Sequence, residues 1–204
     1  MTTDTAASGT AHRTSGTAPG AAPRDRLLDA AAELFYRRGV GTPTDDLCRA
    51  AKISKRSMYR MFDGKDTLLA AALEHRAPAF ADLLLPPPDL DAGPRARMLY
   101  VFERLEEAAL SPGYLGCPYV AAQVELKDPA HPASVVAADA KRDVLDFFRA
   151  EAQRAGIADP DLLARQLAVV YDGASTRAGI GADDLRGLAV TTAAALITTA
   201  GVTH

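Results

Sequence analysis

Residues 42–65 read TPTDDLCRAAKISKRSMYRMFDGK and contain the clearest structural signals in the chain. Pro43 suits the first position of a helix, where a missing N–H costs nothing, and Thr42 before it can accept the backbone N–H of Asp45. Negative charge in this first turn also stabilises the positive end of the helix dipole. We therefore expect a short helix that begins at Pro43 and ends near Lys52. Its predicted buried residues are Leu47, Cys48, Ala50 and Ala51.

A second short helix is predicted directly after the first, with Ser54 as its N-cap. Met58 and Phe62 share one face at i, i+4 spacing, which indicates that this face packs inward. Two short helices across a tight turn, the second apolar inside and basic outside, are typical of a helix-turn-helix. The motif spans residues 43–62, and its second helix would enter the major groove of DNA. The outer face carries Lys55, Arg56, Ser57, Tyr59 and Arg60.

Residues 24–84 resemble the DNA-binding domain of the TetR family of bacterial transcriptional regulators. Family members usually have Gly near Arg56, Leu near Met58, often His near Met61, and Ser near Gly64. Arg56 is the departure that matters most, because it places a long cation where the family usually has no side chain. The resemblance rests on residues 30–35 with Gly39, 42–51, 53–62 and 64–66, and on Leu68 and Leu69.

Charge is distributed unevenly along the 204 residues, although the overall net charge is only −3. Residues 24–76 contain eleven Lys or Arg against eight Asp or Glu, a net charge of +3. Residues 77–204 contain eleven against seventeen, a net charge of −6. This asymmetry is typical of a nucleic-acid reader joined to a separate domain. The solvated faces of ordinary helices would explain the acidic part equally well.

Composition favours a soluble, globular, cytoplasmic protein, which as a DNA reader would be nucleoid-associated. Two cysteines without a CxxC motif favour a reducing compartment. No run approaches the roughly 20 apolar residues of a membrane span, and the first residues lack the apolar core of a signal peptide. We predict a disordered tail over residues 1–22, in which Arg13 is the only strong cation.

Metal, cofactor and catalytic signals are weak. The four histidines are scattered without zinc-ligand spacing, so neither a metal nor a cofactor is expected; they are His12, His75, His131 and His204. His131 is predicted to cap a helix beside Pro132. No Ser–His–acid motif or Gly-rich phosphate loop supports an enzyme. Cys48 and Cys117 are expected to be buried small hydrophobes. A lowered pKa of Cys117, which precedes a helix, is the competing interpretation.

The whole chain is predicted to be all-α, with about nine helices, because no segment alternates with period two. A three-helix DNA-binding domain would occupy residues 23–85, joined through a connecting fourth helix to a C-terminal bundle over residues 86–204. Pro78 is expected to kink or interrupt the fourth helix, and the three prolines at 86–88 end it. The first position of a helix is predicted at Pro23, Pro43, Pro94, Pro118, Pro132 and Pro160. The predicted helices outside the motif run about 24–38, 65–85, 94–110, from 118, 132–154 (burying Val135), 160–178 and 183–200.

The C-terminal part resembles the TetR family more loosely, at residues 116–120, 128–132 and 172–174. The resemblance implies a homodimer formed through the last two helices, and a cavity for a small effector. Aromatic residues at helical spacing are more often core than pocket, but as a group they leave polar ends near an apolar interior. The candidate effector-binding residues are Phe102, Tyr119, Gln123, Phe148 and Tyr171.

Eight residues are predicted to contact double-stranded DNA. Arg56 can donate two hydrogen bonds to a guanine edge, whereas hydroxyl and amine groups mainly bind phosphates. Thr42 or Thr44 would touch phosphate at the start of the second helix, or only cap it. Lys65 matches a phosphate-contacting lysine of the family. The full set is Thr42, Thr44, Lys55, Arg56, Ser57, Tyr59, Arg60 and Lys65.

These features predict a ligand-responsive transcriptional regulator. The family resemblance implies a repressor that binds a palindromic operator as a homodimer and is released by a small, largely apolar effector. Pro78 would be a hinge in the helix that joins the two domains. An architectural or activator-type DNA-binding protein without an effector pocket is the competing interpretation.

Overall fold

The computed structural model describes residues 22–202, so the predicted tail lies outside the described residues except for Ala22. Regular structure in this range is entirely helical, which confirms the all-α prediction. None of these helices is long and apolar enough to cross a membrane. The helices are α1 (Pro23–Arg38), α2 (Thr44–Ala51), α3 (Lys55–Met61), α4 (Lys65–Leu84), α5 (Pro94–Ala109), α6 (Pro118–Leu126), α7 (Pro132–Arg154), α8 (Pro160–Gly179) and α9 (Leu188–Thr199).

Proline marks the first residue of five helices as predicted, but α2 is different. It begins at Thr44, with Pro43 as an N-cap that offers no side-chain hydrogen bond. The prediction that Thr42 caps this helix is therefore wrong. The Thr42 hydroxyl instead donates to the Gly39 carbonyl at 2.8 Å, and the side chain is buried against the end of α1. The confirmed starts are at Pro23, Pro94, Pro118, Pro132 and Pro160.

The N-terminal core forms where α1 packs across α2 and α4. Leu28 and Phe35 of α1 meet Leu47 of α2 and Leu68 of α4 in one buried cluster. Ala50, predicted to be buried in α2, is exposed, because it lies on the outward face of that helix. This small core fixes the angle at which the following helix, α3, projects from the domain.

Helix α4 connects the two domains and runs without a break from Lys65 to Leu84. Pro78 was predicted to kink or interrupt this helix; the interruption is wrong, and the kink stays a prediction. Pro78 and Glu74 are both exposed, so the carbonyl that loses its helical partner is available to solvent. The helix ends at Leu84, and its C-cap Leu85 lies immediately before the three prolines, as predicted.

The C-terminal domain is a bundle of α5, α7, α8 and α9, with α6 between the bundle and the N-terminal domain. The rings of Phe102 and Phe148 stack in its centre with centroids 5.7 Å apart. Val135, predicted to face inward, is 48% exposed, because it lies on the solvent side of α7.

Helix α9 begins at Leu188, later than the predicted residue 183. Leu185 and Arg186 have φ of 59° and 40°, and this left-handed backbone prevents a continuous helix. A carboxylate from α5 then caps the helix. Glu106 accepts hydrogen bonds from the amides of Gly187, Ala189 and Val190 at 2.7, 2.8 and 3.1 Å. These bonds satisfy amides that a helix start otherwise leaves unpaired.

The two domains are joined by hydrogen bonds near the end of α1. The Tyr36 hydroxyl donates to the Gly116 carbonyl at 3.0 Å and accepts from the Leu115 amide at 2.6 Å. Glu125 of α6 accepts from the Val40 amide at 2.8 Å. The orientation of the DNA-binding domain therefore depends on contacts to the C-terminal domain.

Candidate nucleic-acid interface

Helix α3 starts with the predicted cap. The Ser54 side chain accepts the Ser57 amide at 3.1 Å, and the two hydroxyl oxygens lie 3.0 Å apart. The turn before it is made by Lys52, whose φ of 54° is left-handed, and by the bond from the Ile53 amide to the Cys48 carbonyl at 3.0 Å. This tight turn holds α3 against α2, as the helix-turn-helix motif requires.

The inner face of α3 is apolar, as predicted. Met58 is fully buried and Phe62 is 7% exposed, so both anchor the helix to the N-terminal core. The Arg24 guanidinium lies over the Phe62 ring, 5.3 Å from its centroid. Anchoring one face in this way leaves the opposite face of α3 in a fixed position toward solvent.

The outer face of α3 is basic and exposed. Among the residues that the structure describes, Arg56 has no hydrogen-bond or ion-pair partner. Tyr59 is 54% exposed, and Arg60 reaches the Ser57 hydroxyl at 3.4 Å. Lys55 instead forms an ion pair with Asp45 of α2 at 2.8 Å, and this hydrogen bond raises the pKa of the ammonium. Arg56 is therefore free to donate to a base edge.

The remaining predicted contacts lie at the starts of helices. Thr44 and Lys65, the first residues of α2 and α4, are both partly exposed. Thr42 is only 2% exposed, and its hydroxyl is used by the Gly39 carbonyl. We therefore leave Thr42 out of the interface. The other seven predicted residues stay as predictions of DNA contact.

A basic groove of about 620 Å³ lies beside α3, and the sequence predictions did not include it. It runs between the start of α1 and the turn before α3, and Arg24, Arg26 and Lys52 line it with Arg60. The available signal was the pair of arginines in the first turn of α1, Arg24 and Arg26, which local sequence does not place beside Lys52.

Four of the five predicted effector-binding residues form the packed core of the C-terminal domain. Phe102, Tyr119 and Phe148 are fully buried, Tyr171 is 2% exposed, and Gln123 donates to the Ser134 carbonyl at 3.3 Å. A cavity between α1, α4 and α6 measures about 20 Å³, which is room for about one water molecule. Effector binding by these residues stays a prediction.

Burial controls the titration of the sulfur and phenol groups in this region. It raises the pKa of the Cys117 thiol, so the competing interpretation, a pKa lowered by the position before a helix, is wrong. Burial also raises the pKa of Tyr119 to about 12, and its hydroxyl donates to the Leu73 carbonyl at 3.3 Å. Cys48 is likewise buried with a raised pKa.

Histidine has the predicted structural role at the start of α7. His131 Nδ1 accepts the Ala133 amide at 3.1 Å, which confirms it as a cap. Over residues 22–202, no group of three or more His, Cys, Asp or Glu side chains could hold a metal ion. His12 and His204 lie outside the described residues.

Comparison with known proteins places this geometry in a family. Residues 27–72, which contain α2, α3 and most of α1, match the family described as bacterial regulatory proteins, tetR family. The biofilm operon icaADBC HTH-type negative transcriptional regulator IcaR of Staphylococcus epidermidis is 33% identical over 63 residues. That match covers 30% of this chain, and the chain spans only 34% of the length of that relative.

Similarity over nearly the whole chain comes from solved structures. A structure from Streptomyces avermitilis, described as that of a TetR transcriptional regulator, is 57% identical with a TM-score of 0.87; the match covers 89% of this chain and 100% of that one. A TetR-family regulator from Streptomyces coelicolor is 24% identical with a TM-score of 0.77, covering 89% and 96% of the two chains, and shows the same fold. The chain belongs to the TetR family of DNA-binding transcriptional regulators.

Proposed function

We propose that this regulator is a homodimeric repressor that reads an inverted repeat through α3 and is released by a small effector. The observation that carries the proposal is the outward position of Arg56, unpaired among the described residues, on a helix anchored by Met58 and Phe62. A bidentate bond from Arg to a guanine edge contributes about 1–3 kcal/mol of discrimination. The name of the Staphylococcus epidermidis relative, a negative regulator, supports the repressor role.

A stripe of exposed residues on α8 supports the dimer. Its members recur at alternating steps of four and three residues, which is the spacing of a helix–helix seam. Val169 and Ile180 in this stripe are each 72% exposed, which is unusual for such apolar side chains. The α8 stripe consists of Leu162, Gln166, Val169, Gly173, Thr176 and, at the C-cap of α8, Ile180.

Helix α9 carries a matching stripe, so that two helices from each chain would form a four-helix bundle. Its Leu188 is 49% exposed, and the neighbouring positions are small or carry hydroxyl groups, which allows close helix packing. The α9 stripe consists of Leu188, Thr192, Ala195 and Thr199. A two-fold dimer of this kind would present two copies of α3 to successive major grooves, about 34 Å apart.

The effector would act where α4, α6 and α7 meet. Over residues 22–202, two buried side-chain polar atoms have no hydrogen-bond partner, Arg76 Nε of α4 and Ser134 Oγ of α7. Buried donors without partners are rare, so these atoms favour an effector that offers an acceptor as well as apolar surface. Tyr119 lies near this region, since Arg76 affects its pKa. We therefore add a hydrogen-bond acceptor to the predicted, largely apolar effector.

Release would follow from a change in dimer geometry. A ligand shifts the equilibrium only through its different affinities for the DNA-binding and released states. Helix α4 is the mechanical link, because it begins in the DNA-binding domain and ends beside the bundle. We retain Pro78 as a hinge hypothesis, and Pro78→Ala tests it. Unchanged operator affinity and effector response in that variant would contradict the hinge.

A charged substitution in the α8 stripe tests the proposed dimer interface. Val169→Glu should convert the dimer to a folded monomer, because two carboxylates would face each other in an apolar interface. Sedimentation equilibrium measures the mass, and circular dichroism checks that the fold is retained. Val124→Glu on α6 is the matched control, since Val124 is 63% exposed but lies outside the seam. A dimeric Val169→Glu protein would contradict the proposed interface.

The regulatory part is tested with DNA selected from random sequence. Duplex bound to the protein is challenged with a panel of metabolites, and fluorescence anisotropy reports release. At least one compound should lower DNA affinity, and the same compound should bind the free protein. An affinity that no compound changes would favour the architectural DNA-binding function instead.

A further inference from the structure

The basic groove beside α3 has the composition of a phosphate-binding surface. Four of its lining side chains are cations, Arg24, Arg26, Lys52 and Arg60, and Ser54 and Ser57 add hydroxyl groups. None of the described residues that line it is acidic. Lys and Arg, together with hydroxyl groups, are the side chains that bind DNA phosphates. The groove shares Ser57 and Arg60 with the candidate interface, so the two surfaces are continuous.

The basic groove and Tyr59 lie on opposite sides of α3, as helix geometry shows. At 100° per residue, Met58 points inward, Arg56 and Arg60 point outward, and Tyr59 and Ser57 point to opposite sides. A helix in the major groove has a sugar–phosphate wall on each side, because the groove is only about 12 Å wide. Tyr59 faces the wall on one side, and the basic groove faces the wall on the other.

The backbone at Lys52 allows the side chain to be removed without cost to the fold. Its φ of 54° is left-handed, a conformation that glycine adopts without strain and a lysine does not. Lys52 is also exposed, so packing does not require the side chain. Glycine therefore fits this C-cap of α2 at least as well as lysine, so the structure does not account for the cation.

Arg24 of α1 contacts the residue that ends α3. Its guanidinium stacks over Phe62, the residue at the end of α3, with 5.3 Å to the ring centroid. An arginine stacked on an aromatic ring retains its N–H donors at the edge of the guanidinium plane. Arg24 is therefore oriented at the edge of the groove rather than free to sample solvent.

We propose that Lys52 and Arg24, with Arg60, bind the DNA backbone phosphates on the α1 side of α3. This inference rests on the proposed reading of DNA by α3. It adds contacts to the second of the two sugar–phosphate backbones that border the major groove. The contacts would be independent of sequence, because phosphates carry no sequence information. They would position α3 so that Arg56 meets the base edges.

Lys52→Gly separates this function from stability. The substitution removes the cation and relieves the left-handed strain, so the melting temperature should stay the same or rise. Affinity for a random-sequence duplex of roughly 20 base pairs, about two helical turns, should fall. The slope of log affinity against log salt should become shallower by about 0.9, the value for one lost phosphate contact. The loss should therefore be about threefold larger at roughly 50 mM than at 200 mM salt.

Lys127→Gly is the matched control. Lys127 caps α6 with φ of 53°, so the same residue changes in the same backbone conformation and the net charge falls equally. This variant should bind DNA like the wild type. Lys52→Arg should also retain the wild-type salt slope, because it keeps the cation.

Three results would overturn the inference. The first is a wild-type salt slope in Lys52→Gly, and the second is an equal loss in Lys127→Gly. The third is a loss confined to duplexes selected for tight binding, which would make Lys52 a base contact. If the wild-type protein itself bound no duplex, the proposed DNA reading would fail together with this inference.

Discussion

Glu125 of α6 accepts the Val40 amide at 2.8 Å, and it lies so close to the α1–α2 loop that a side chain at residue 39 would displace its carboxylate. A Cβ built on Gly39 would be 2.5 Å from Glu125 Oε2. This contact ties the DNA-binding domain to the C-terminal domain. Two features therefore favour glycine at residue 39. They are its left-handed backbone and the nearby Glu125 carboxylate.

Gly39→Ala should destabilise the protein by about 1–3 kcal/mol from the backbone alone. Its φ of 81° and ψ of 173° lie in a region that is almost restricted to glycine. Displacing the flexible Glu125 carboxylate adds the smaller cost of its hydrogen bond to the Val40 amide. Urea unfolding measures the change, and Gly41→Ala is the control, because nothing lies within 4 Å of a Cβ at that position.

A double-mutant cycle separates the two costs at residue 39. Combining Gly39→Ala with Glu125→Ala should destabilise by less than the sum of the single changes, because the carboxylate that clashes is then absent. Strict additivity would show that the two residues do not touch.

Glu106→Ala should destabilise the protein by about 1–3 kcal/mol, because it leaves amides at the start of α9 without an acceptor. Helix α9 carries part of the proposed dimer seam, so the dimer should also dissociate at higher protein concentration. Glu107→Ala is the control on the same helix. Glu107 is exposed in a surface ion pair with Arg104, which contributes about 0–1 kcal/mol. Equal losses in both variants would contradict the capping role of Glu106.

Stability should fall at alkaline pH because of buried tyrosine. The pKa of Tyr119 is raised from 10.0 to about 12, so the folded state favours the neutral phenol. This contribution is fully present below pH 10 and is lost as pH rises toward 12. In Tyr119→Phe, the free energy of unfolding should fall less steeply over this range. The exposed Tyr59→Phe should follow the wild-type curve, and the same slope in all three proteins would contradict the prediction.

Cys117 should react slowly with thiol reagents in the native state. Burial raises the pKa of its thiol, so less of the reactive thiolate is present at pH 8, and the residue is also only 4% exposed. Absorbance of released thionitrobenzoate measures the rate, with the urea-unfolded protein as reference. Native reaction as fast as in the unfolded protein would contradict this assignment.

Local signals in the sequence predicted most of the fold. Proline at the first position located five helix starts, and Ser54 located the start of α3, because each signal depends only on neighbouring residues. The apolar pair Met58 and Phe62 likewise predicted the buried face of α3. The outward positions of Arg56 and Tyr59 follow from this face by helical periodicity.

Contacts between distant residues explain the predictions that were wrong. The Thr42 hydroxyl is bound by the end of α1, so it does not cap α2. The start of α9 is set by left-handed residues and by Glu106, which lies 81 residues before Gly187. The basic groove beside α3 was missed for the same reason, since Arg24 and Lys52 are brought together only by the folded domain.

The most direct test of the central claim is selection of duplexes from random DNA with the wild-type protein and with Arg56→Ala. We expect the wild type to enrich an inverted repeat whose half-sites lie about 34 Å apart. Arg56→Ala should lose the preference for one guanine in each half-site while keeping much of its affinity. The same motif in both proteins, or no enrichment by the wild type, would contradict the claim that α3 reads DNA through Arg56.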